Sequence, residues 1–234
     1  MICAVRVIVP AHDEQDRLTS CLAALRAAAR ALGSTPVHLV VVADACRDQT
    51  AQVSRDGGAV VVTIGARCVG AARAAGGREA LRWTRPLDPA EVWLATTDAD
   101  TLVPAAWLRH QARYADRGCD AVAGTVRVGD WSGYRAAVRS LFTARYGRAR
   151  GSHRHVHGAN LGFRAAAYLQ AGGFSELPTG EDRALVAALT AAGSRVRYAR
   201  ALTVTTSARR DARAPDGFGR DLASLDAEAD AAPA

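Results

Sequence analysis

The chain predicts one α/β domain built on a doubly wound, mostly parallel central sheet flanked by helices. Three observations carry that expectation. Four apolar stretches rich in Val and Ile alternate with helical patterns through the first hundred residues, the arrangement that winds a parallel sheet. Three of those stretches end in acids: Glu14, Asp44, and the pair Asp98 and Asp100. At 234 residues the chain is long enough to bury one sizeable core, and it carries no internal repeat or interdomain linker.

The elements follow in order. Cys3 to Val9 reads as a buried strand with an Arg in its middle, closed by the turn Pro10-Ala11-His12-Asp13-Glu14. Leu18, Leu22, Leu25, Ala29 and Leu32 recur at helical spacing up to Gly33. Val37 to Ala43 is a second strand ending at Asp44, and Asp48 is placed to cap a short helix from Thr50. Gly57-Gly58 turns into a third strand, Val60 to Ile64. After the loop Gly65 to Gly70, Ala71 to Leu81 is a helix of small residues with Arg73 near its start. Val92 to Thr96 is the fourth strand. In extended backbone, residues two apart point the same way, so Asp98 and Asp100 can aim at one point beyond it. They read either as solvated loop acids or as ligands for a hard cation beside a diphosphate. Their place at a strand's carboxyl end favours the second reading, because open α/β sheets bind ligands there.

The second half is less regular. Pro104 to Asp116 is expected to be helical, Ala121 to Val128 a strand, and Gly133 to Arg150 a basic helix. That run reads as a solvated face or as a phosphate or membrane-surface site. His153, His155 and His157 alternate as metal ligands on a strand do, but Arg154 divides them, so a polar loop with at most one functional His is expected. A short helix precedes Gly172-Gly173-Phe174, and a further helix spans Arg183 to Ala192. Two strands, Val196 to Ala199 and Leu202 to Thr206, close the core. A loop from Arg209 to Gly219 and an acidic, flexible tail over 226–234 end the chain. The domain is thus expected over 1–225, with a nucleotide-binding half at about 1–103 and an acceptor-binding half at about 104–225.

Composition excludes several chemistries. The net charge is +7, yet the sequence has no Lys, and its wealth of Ala and Arg looks like the imprint of a GC-rich, bacterial genome. A nucleic-acid partner does not follow from that charge. A lysine Schiff base and a P-loop lysine are both ruled out; Gly65 to Gly70 has P-loop glycine spacing, but Ala71-Ala72 stand where Lys and Ser/Thr belong. Five scattered cysteines without a Cys-x-x-Cys fit thiols in a reducing cytoplasm. No apolar run approaches the length of a transmembrane segment, and no signal-peptide pattern is present.

The acids and bases suggest a nucleotide site. Asp44 can accept bonds from a base edge, Arg73 can pair with phosphate, and Asp98 and Asp100 can hold ribose and metal. Asp182, at a helix start, reads as a helix-capping acid or as a general base.

In order and spacing, these residues resemble a family-2 glycosyltransferase with the GT-A fold, whose sheet is Rossmann-like. The matching motifs are Val7-Ile8-Val9-Pro10-Ala11-His12-Asp13-Glu14, Val40-Val41-Val42-Ala43-Asp44, Gly70-Ala71-Ala72-Arg73, Thr97-Asp98-Ala99-Asp100, Gly158-Ala159-Asn160 with Arg164, Gly172-Gly173-Phe174, and Gly180-Glu181-Asp182. They span about residue 5 to about residue 210. The resemblance implies that Pro10, Ala11, His12, Glu14, Asp44, Arg73 and Asp98 bind the donor nucleotide, and that Asp100, with Asp98, ligates Mn or Mg. It implies that Gly158, Ala159, Asn160, Glu181 and His157 shape the sugar and acceptor side, and that Asp182 deprotonates the acceptor hydroxyl for inverting transfer. The donor is expected to be a UDP- or GDP-sugar, and the acceptor a small molecule, a lipid-linked species or a saccharide. The Gln-x-x-Arg-Trp signature of processive members is absent, so transfer of a single sugar is expected. Cytoplasmic location, peripheral contact with the inner membrane face and a homodimer are further expectations. Two other readings stand beside it. A nucleotidyltransferase would show a Gly-rich loop after the first strand, where Pro10 to Glu14 stands. A non-catalytic nucleotide-sugar binder would have lost one of Asp98, Asp100 and Asp182.

Overall fold

A computed structural model of the chain describes residues 1–84, 86–147, 155–209 and 218–231. Seven strands form one sheet: β1 (Ala4–Ala11), β2 (Val37–Asp44), β3 (Val60–Ile64), β4 (Val92–Thr96), β5 (Ala121–Val128), β6 (Leu161–Arg164) and β7 (Val196–Thr206). Among the described residues, eight α-helices accompany them: α1 (Gln15–Leu32), α2 (Thr50–Asp56), α3 (Val69–Arg82), α4 (Trp107–Asp116), α5 (Ala136–Gly147), α6 (Ala165–Gln170), α7 (Glu181–Ala191) and α8 (Phe218–Ala231). The strand order is β3-β2-β1-β4-β6-β5-β7, and only β6 runs against its neighbours among the described strands.

Alternation along β1 divides the core into two layers. Val5, Val7 and Val9 meet Leu18, Leu22 and Leu25 of α1 on one face. Ala4 and Ile8 meet Ala72 and Ala75 of α3 on the other. The small residues of α3 let that helix lie close: a Cβ on Gly76 would stand 2.5 Å from Ile8 Cγ2. Arg6 shares that face and is buried. Its guanidinium donates to the carbonyl of Trp83 at 2.5 Å, at the carboxyl end of α3, where a cation is favoured.

The expected strands and helices of the first half are all present. The second half departs from expectation in three places. First, β6 is a strand that the sequence pattern hides. It is four residues long and contains Gly162, whose missing side chain leaves room for Gln111 Oε1 and Trp93 Nε1. Second, the two closing stretches are one strand. β7 runs continuously, and its register against β5 shifts between Gly124 and Thr125 to absorb Arg200 to Leu202. Third, the chain is helical from Phe218 to Ala231, so a flexible tail does not begin at 226. Leu222 and Leu225 pack beside Val138 of α5, and Asp226 and Glu228 pair with Arg135 and Arg145. The basic face of α5 is therefore partly neutralised by α8. Arg148, Arg150, His153 and Arg154 lie outside the described residues. No helix among the described residues is long and apolar enough to cross a membrane.

Leu222 is fully buried in this small satellite core. Leu222→Ala is expected to destabilise the chain by about 2–5 kcal/mol, read by thermal denaturation. An unchanged Tm would mean that α8 does not contribute to folding.

Candidate active site

The candidate site gathers at the carboxyl ends of β1, β2 and β4, where the strand order reverses between β1 and its two neighbours. The turns leaving β1 and β2 are locked together. Asp13, in left-handed backbone, accepts the N–H of Arg47 at 2.7 Å, and Glu14 N–H donates to Thr50 Oγ1 at 2.7 Å. Asp48, one residue before the N-cap Gln49, accepts Thr50 N–H at 2.9 Å through Oδ1, while its Oδ2 takes Gln15 N–H at 3.1 Å. His12 Nδ1 lies 2.6 Å from the carbonyl of Asp44; a carbonyl only accepts, so this nitrogen carries the proton.

Asp44 is buried, and its two oxygens accept the N–H groups of Arg67 (2.8 Å) and Cys68 (2.7 Å). It thereby folds the loop before α3 over the end of β2. Asp44→Asn removes one of these acceptors and is expected to speed tryptic cleavage after Arg67 by about tenfold, the value of one such bond. Equal cleavage rates would count against this role.

Behind the cleft lies a buried ion network. Arg73, on α3, pairs with Glu181 at the start of α7 and with Asp98 Oδ1 at 2.5 Å, and its Nε reaches Thr96 Oγ1 at 3.4 Å. Asp98 feels competing influences. Its carboxyl is raised to about 6: burial pushes it up, Arg73 pulls it down, and the neighbouring Asp100, Glu181 and Asp182 push it up. Gly158 lies directly on the guanidinium of Arg73, which occupies the space of any Cβ there. That guanidinium is clamped by two acids and cannot swing aside. Gly158→Ala is therefore expected to displace the Arg73–Asp98 pair and lower turnover by about 100-fold, by analogy with small misplacements at other sites. Turnover close to wild type would show that the close approach is not required.

Asp182 stands at the first turn of α7. Its Oδ2 accepts Gly158 N–H at 2.8 Å and its Oδ1 accepts Arg183 N–H at 2.7 Å. The 3₁₀ turn Gly158–Asn160 and the start of α7 are thus joined through one carboxylate, partly exposed and held in one orientation.

Several of these residues have partners within the chain. Arg73 is 3% exposed and engaged by two acids behind the cleft. Glu181 turns inward to Arg73. Asn160 is fully buried. Its amide donates to the carbonyls of Thr125 and Leu202, both at 2.8 Å, and its oxygen accepts Trp107 Nε1 at 2.9 Å, which ties β5, β7 and α4 together. Both amide hydrogens are spent, and a Cβ at Gly124 would collide with this amide. Pro10 and Ala11 end β1 beside β2, and Ala159 belongs to the core under the sheet. His157 is held by Tyr146, whose hydroxyl is 2.8 Å from His157 Nε2 and accepts Val126 N–H at 3.0 Å. Tyr146 also stacks on His155 and on Phe142, which forms an aromatic wall beside His157.

Asp100 has a partner the sequence did not suggest. Arg209 Nε and Nη2 both donate to Asp100 Oδ2, at 3.1 and 2.6 Å, and Nη2 also reaches Glu14 Oε1 at 2.5 Å. The last strand delivers it. Leu102 and Thr205 exchange backbone bonds of 2.7 and 3.0 Å, and Thr101 Oγ1 donates to Thr206 Oγ1 at 3.1 Å. The turn after Asp100 is thereby pinned to the end of β7, three residues before Arg209. Nothing in residue spacing signals this pairing.

The expected Mn or Mg ion finds a poor ligand set here. Asp98 is engaged by Arg73 and Asp100 by Arg209. Among the described residues, the group of three ligand atoms within 4.8 Å is Asp13, Cys46 and Asp48, which does not include either acid and is committed to the turns.

The model of glycosyl transferase family 2 matches residues 6–170, well over half of the chain. The chain belongs to glycosyl transferase family 2. Its fold is that of GT-A glycosyltransferases. The structure of Staphylococcus aureus TarS residues 1–349 with UDP-GlcNAc superposes at a TM-score of 0.66 and 16% identity, covering 95% of this chain and 64% of that one. Pyrobaculum calidifontis mannosyltransferase PcManGT, in complex with GDP-Man and Mn2+, gives 0.64 at 20% identity over 91% of this chain and 59% of its own. Mycobacterium tuberculosis glucosyl-3-phosphoglycerate synthase, with Mg2+ and UDP, gives 0.58 at 13% identity over 99% and 80%. The family-2 chain thus spans less than two thirds of the TarS and PcManGT structures. No curated protein matches its sequence.

Proposed function

We propose that this family-2 chain transfers a single sugar from a UDP- or GDP-sugar to an acceptor hydroxyl with inversion, Asp182 serving as general base. The observation that carries the reading is the setting of Asp182: a partly exposed carboxylate held by Gly158 N–H and Arg183 N–H, in front of the Arg73–Asp98–Glu181 network. Each oxygen keeps a lone pair for an incoming hydroxyl. In the transfer, the hydroxyl oxygen bonds to the anomeric carbon as the bond from that carbon to the diphosphate oxygen breaks. The diphosphate leaves with the electron pair, and the hydroxyl proton passes to Asp182.

The nucleoside would rest among Pro10, Ala11, His12, Glu14 and Asp44, against the loop that Asp44 holds. Arg73 acts as a positioning residue, fixing Asp98 and Glu181. The acceptor, whether small molecule, lipid-linked species or saccharide, would enter past His157 and Tyr146. Given the engagement of Asp98 and Asp100 by guanidinium groups, no step is assigned to Mn or Mg. A nucleotidyltransferase is disfavoured because the turn after β1 is acidic and tied to Thr50, not a loop of free N–H groups.

The test is calorimetric titration with UDP and GDP, followed by assay of nucleoside diphosphate release from UDP- and GDP-sugars with hydroxyl acceptors. Binding of one nucleotide with acceptor-dependent release is expected. Binding of neither would overturn the reading.

A further inference from the structure

Arg209 stands at the second acid of the Asp98-Ala99-Asp100 motif, where this fold would otherwise offer a carboxylate to a cation. Its side chain is nine-tenths buried, and it meets two acids that are equally withdrawn from water: Asp100 at 12% exposure and Glu14 at 6%. A guanidinium has five N–H donors. Three are spent, one from Nε to Asp100 and two from Nη2 to Asp100 and Glu14. The remaining nitrogen, Nη1, is buried and has no hydrogen-bond partner among the described residues. A buried donor without an acceptor is costly, so the missing group is an acceptor. The orphaned atom beside the motif therefore calls for an acceptor oxygen, such as those of a phosphate, and an arriving metal ion would instead have to expel the guanidinium from Asp100.

We infer that Arg209 is the resident cation of this site: it occupies the place of a divalent metal on Asp100 and Glu14 and offers its Nη1 to an oxygen of the donor's diphosphate. The inference rests on the reading of the cleft as a nucleotide-sugar site and specifies how that site meets phosphate charge. The chemistry is suited to the task, since guanidinium groups bind phosphate through paired N–H bonds and stay protonated at every accessible pH. The neighbouring acids reinforce this, holding Arg209 above its already high ordinary pKa through Asp100 and Glu14 despite burial. The pinning of β7 to the turn after Asp100 makes the arrangement a built one: two backbone bonds and the Thr101–Thr206 hydroxyl bond set where Arg209 leaves the sheet.

The experiment is titration of the full chain with UDP and GDP after dialysis against EDTA, repeated with Mn, alongside titration with Mn alone. Wild type is expected to bind its nucleotide with the same affinity in EDTA and in Mn, and to show no Mn binding by itself. Arg209→Met is expected to lose about 10- to 100-fold in metal-free affinity, the worth of a charged hydrogen bond. Should Arg209→Met fail to fold by circular dichroism, Arg209→Lys decides, since it keeps the charge without the fork and should fall between the two. Nucleotide binding that appears only with Mn would show that a metal rather than Arg209 meets the diphosphate and would overturn the inference alone, whereas tighter Mn binding by Arg209→Met than by wild type is expected, because the substitution frees Asp100 and Glu14. Absence of nucleotide binding under every condition would overturn it together with the glycosyl-transfer reading.

Discussion

Asp182→Asn is expected to bind the donor nucleotide as wild type does and to lose about 10²–10⁴-fold in turnover, the span that general-base catalysis contributes. The two effects separate because the substitution is nearly silent in shape. Asn keeps a carbonyl oxygen for Gly158 N–H and gives up only the bond from the adjacent Arg183 N–H, so the junction between the 3₁₀ turn and α7 should hold. What it cannot do is take a proton. The decisive measurement is single-turnover transfer at saturating donor, with donor affinity measured separately. Unchanged turnover would place the base elsewhere. Equal loss of affinity and turnover would mean that Asp182 shapes the pocket instead of receiving the proton.

Arg73→Met should unfold more readily than any other single change in the cleft. The methionine fits the space but leaves Glu181, which is 3% exposed, and Asp98 as neighbouring acids with no cation between them. Breaking a buried ion pair by removing one partner costs about 3–5 kcal/mol. For a chain of this size that is roughly 10 °C in Tm. Asp98 opens partly to solvent and will recover some hydration, so the larger share of the cost belongs to Glu181. The double variant Arg73→Met with Glu181→Gln removes that charge and is expected to regain part of the loss, because the two sites are in contact and do not add. A double variant no more stable than Arg73→Met would show that the penalty arises from packing rather than from the stranded carboxylate.

Much of this architecture could be read from residues alone, for local reasons. The strands of the first half are apolar runs of five to eight residues, each answered at once by a helix, and their acids fall at strand ends because the ligand edge of such a sheet lies there. Asp98, Asp100 and Asp182 were recognisable as end-of-element acids. The roles of Glu181, Asn160 and Arg73 were not, because sequence shows which groups are polar but not which way they turn. Glu181 and Asp182 are adjacent on one helix, and only packing against α3 decides that the first is buried and the second meets the cleft. Asn160 reads as a substrate ligand until Thr125, Leu202 and Trp107 are seen to use up its amide. Arg209 reaches Asp100 through a strand pairing 100 residues away in sequence, and no periodicity reports such a contact. β6 was hidden by its brevity and by Gly162, which breaks the apolar pattern for the sake of Gln111 and Trp93.

The placement of β6 also bears on the order in which the chain assembles. β1 to β3 can pair as they emerge, since those contacts join segments close in sequence, and β4 then adds to the free edge of β1, where Val92 meets Ala4. β5 cannot follow them onto the sheet, because the place beside β4 belongs to residues made some forty positions later. Until Leu161–Arg164 threads into that gap, antiparallel to both neighbours, the half-sheet carries a bare edge on β4 with open N–H and C=O groups, the surface on which chains stick to one another. A nascent or truncated chain ending between 128 and 161 should therefore aggregate, whereas a chain that includes β6 waits on a late, long-range closure that sets its folding rate.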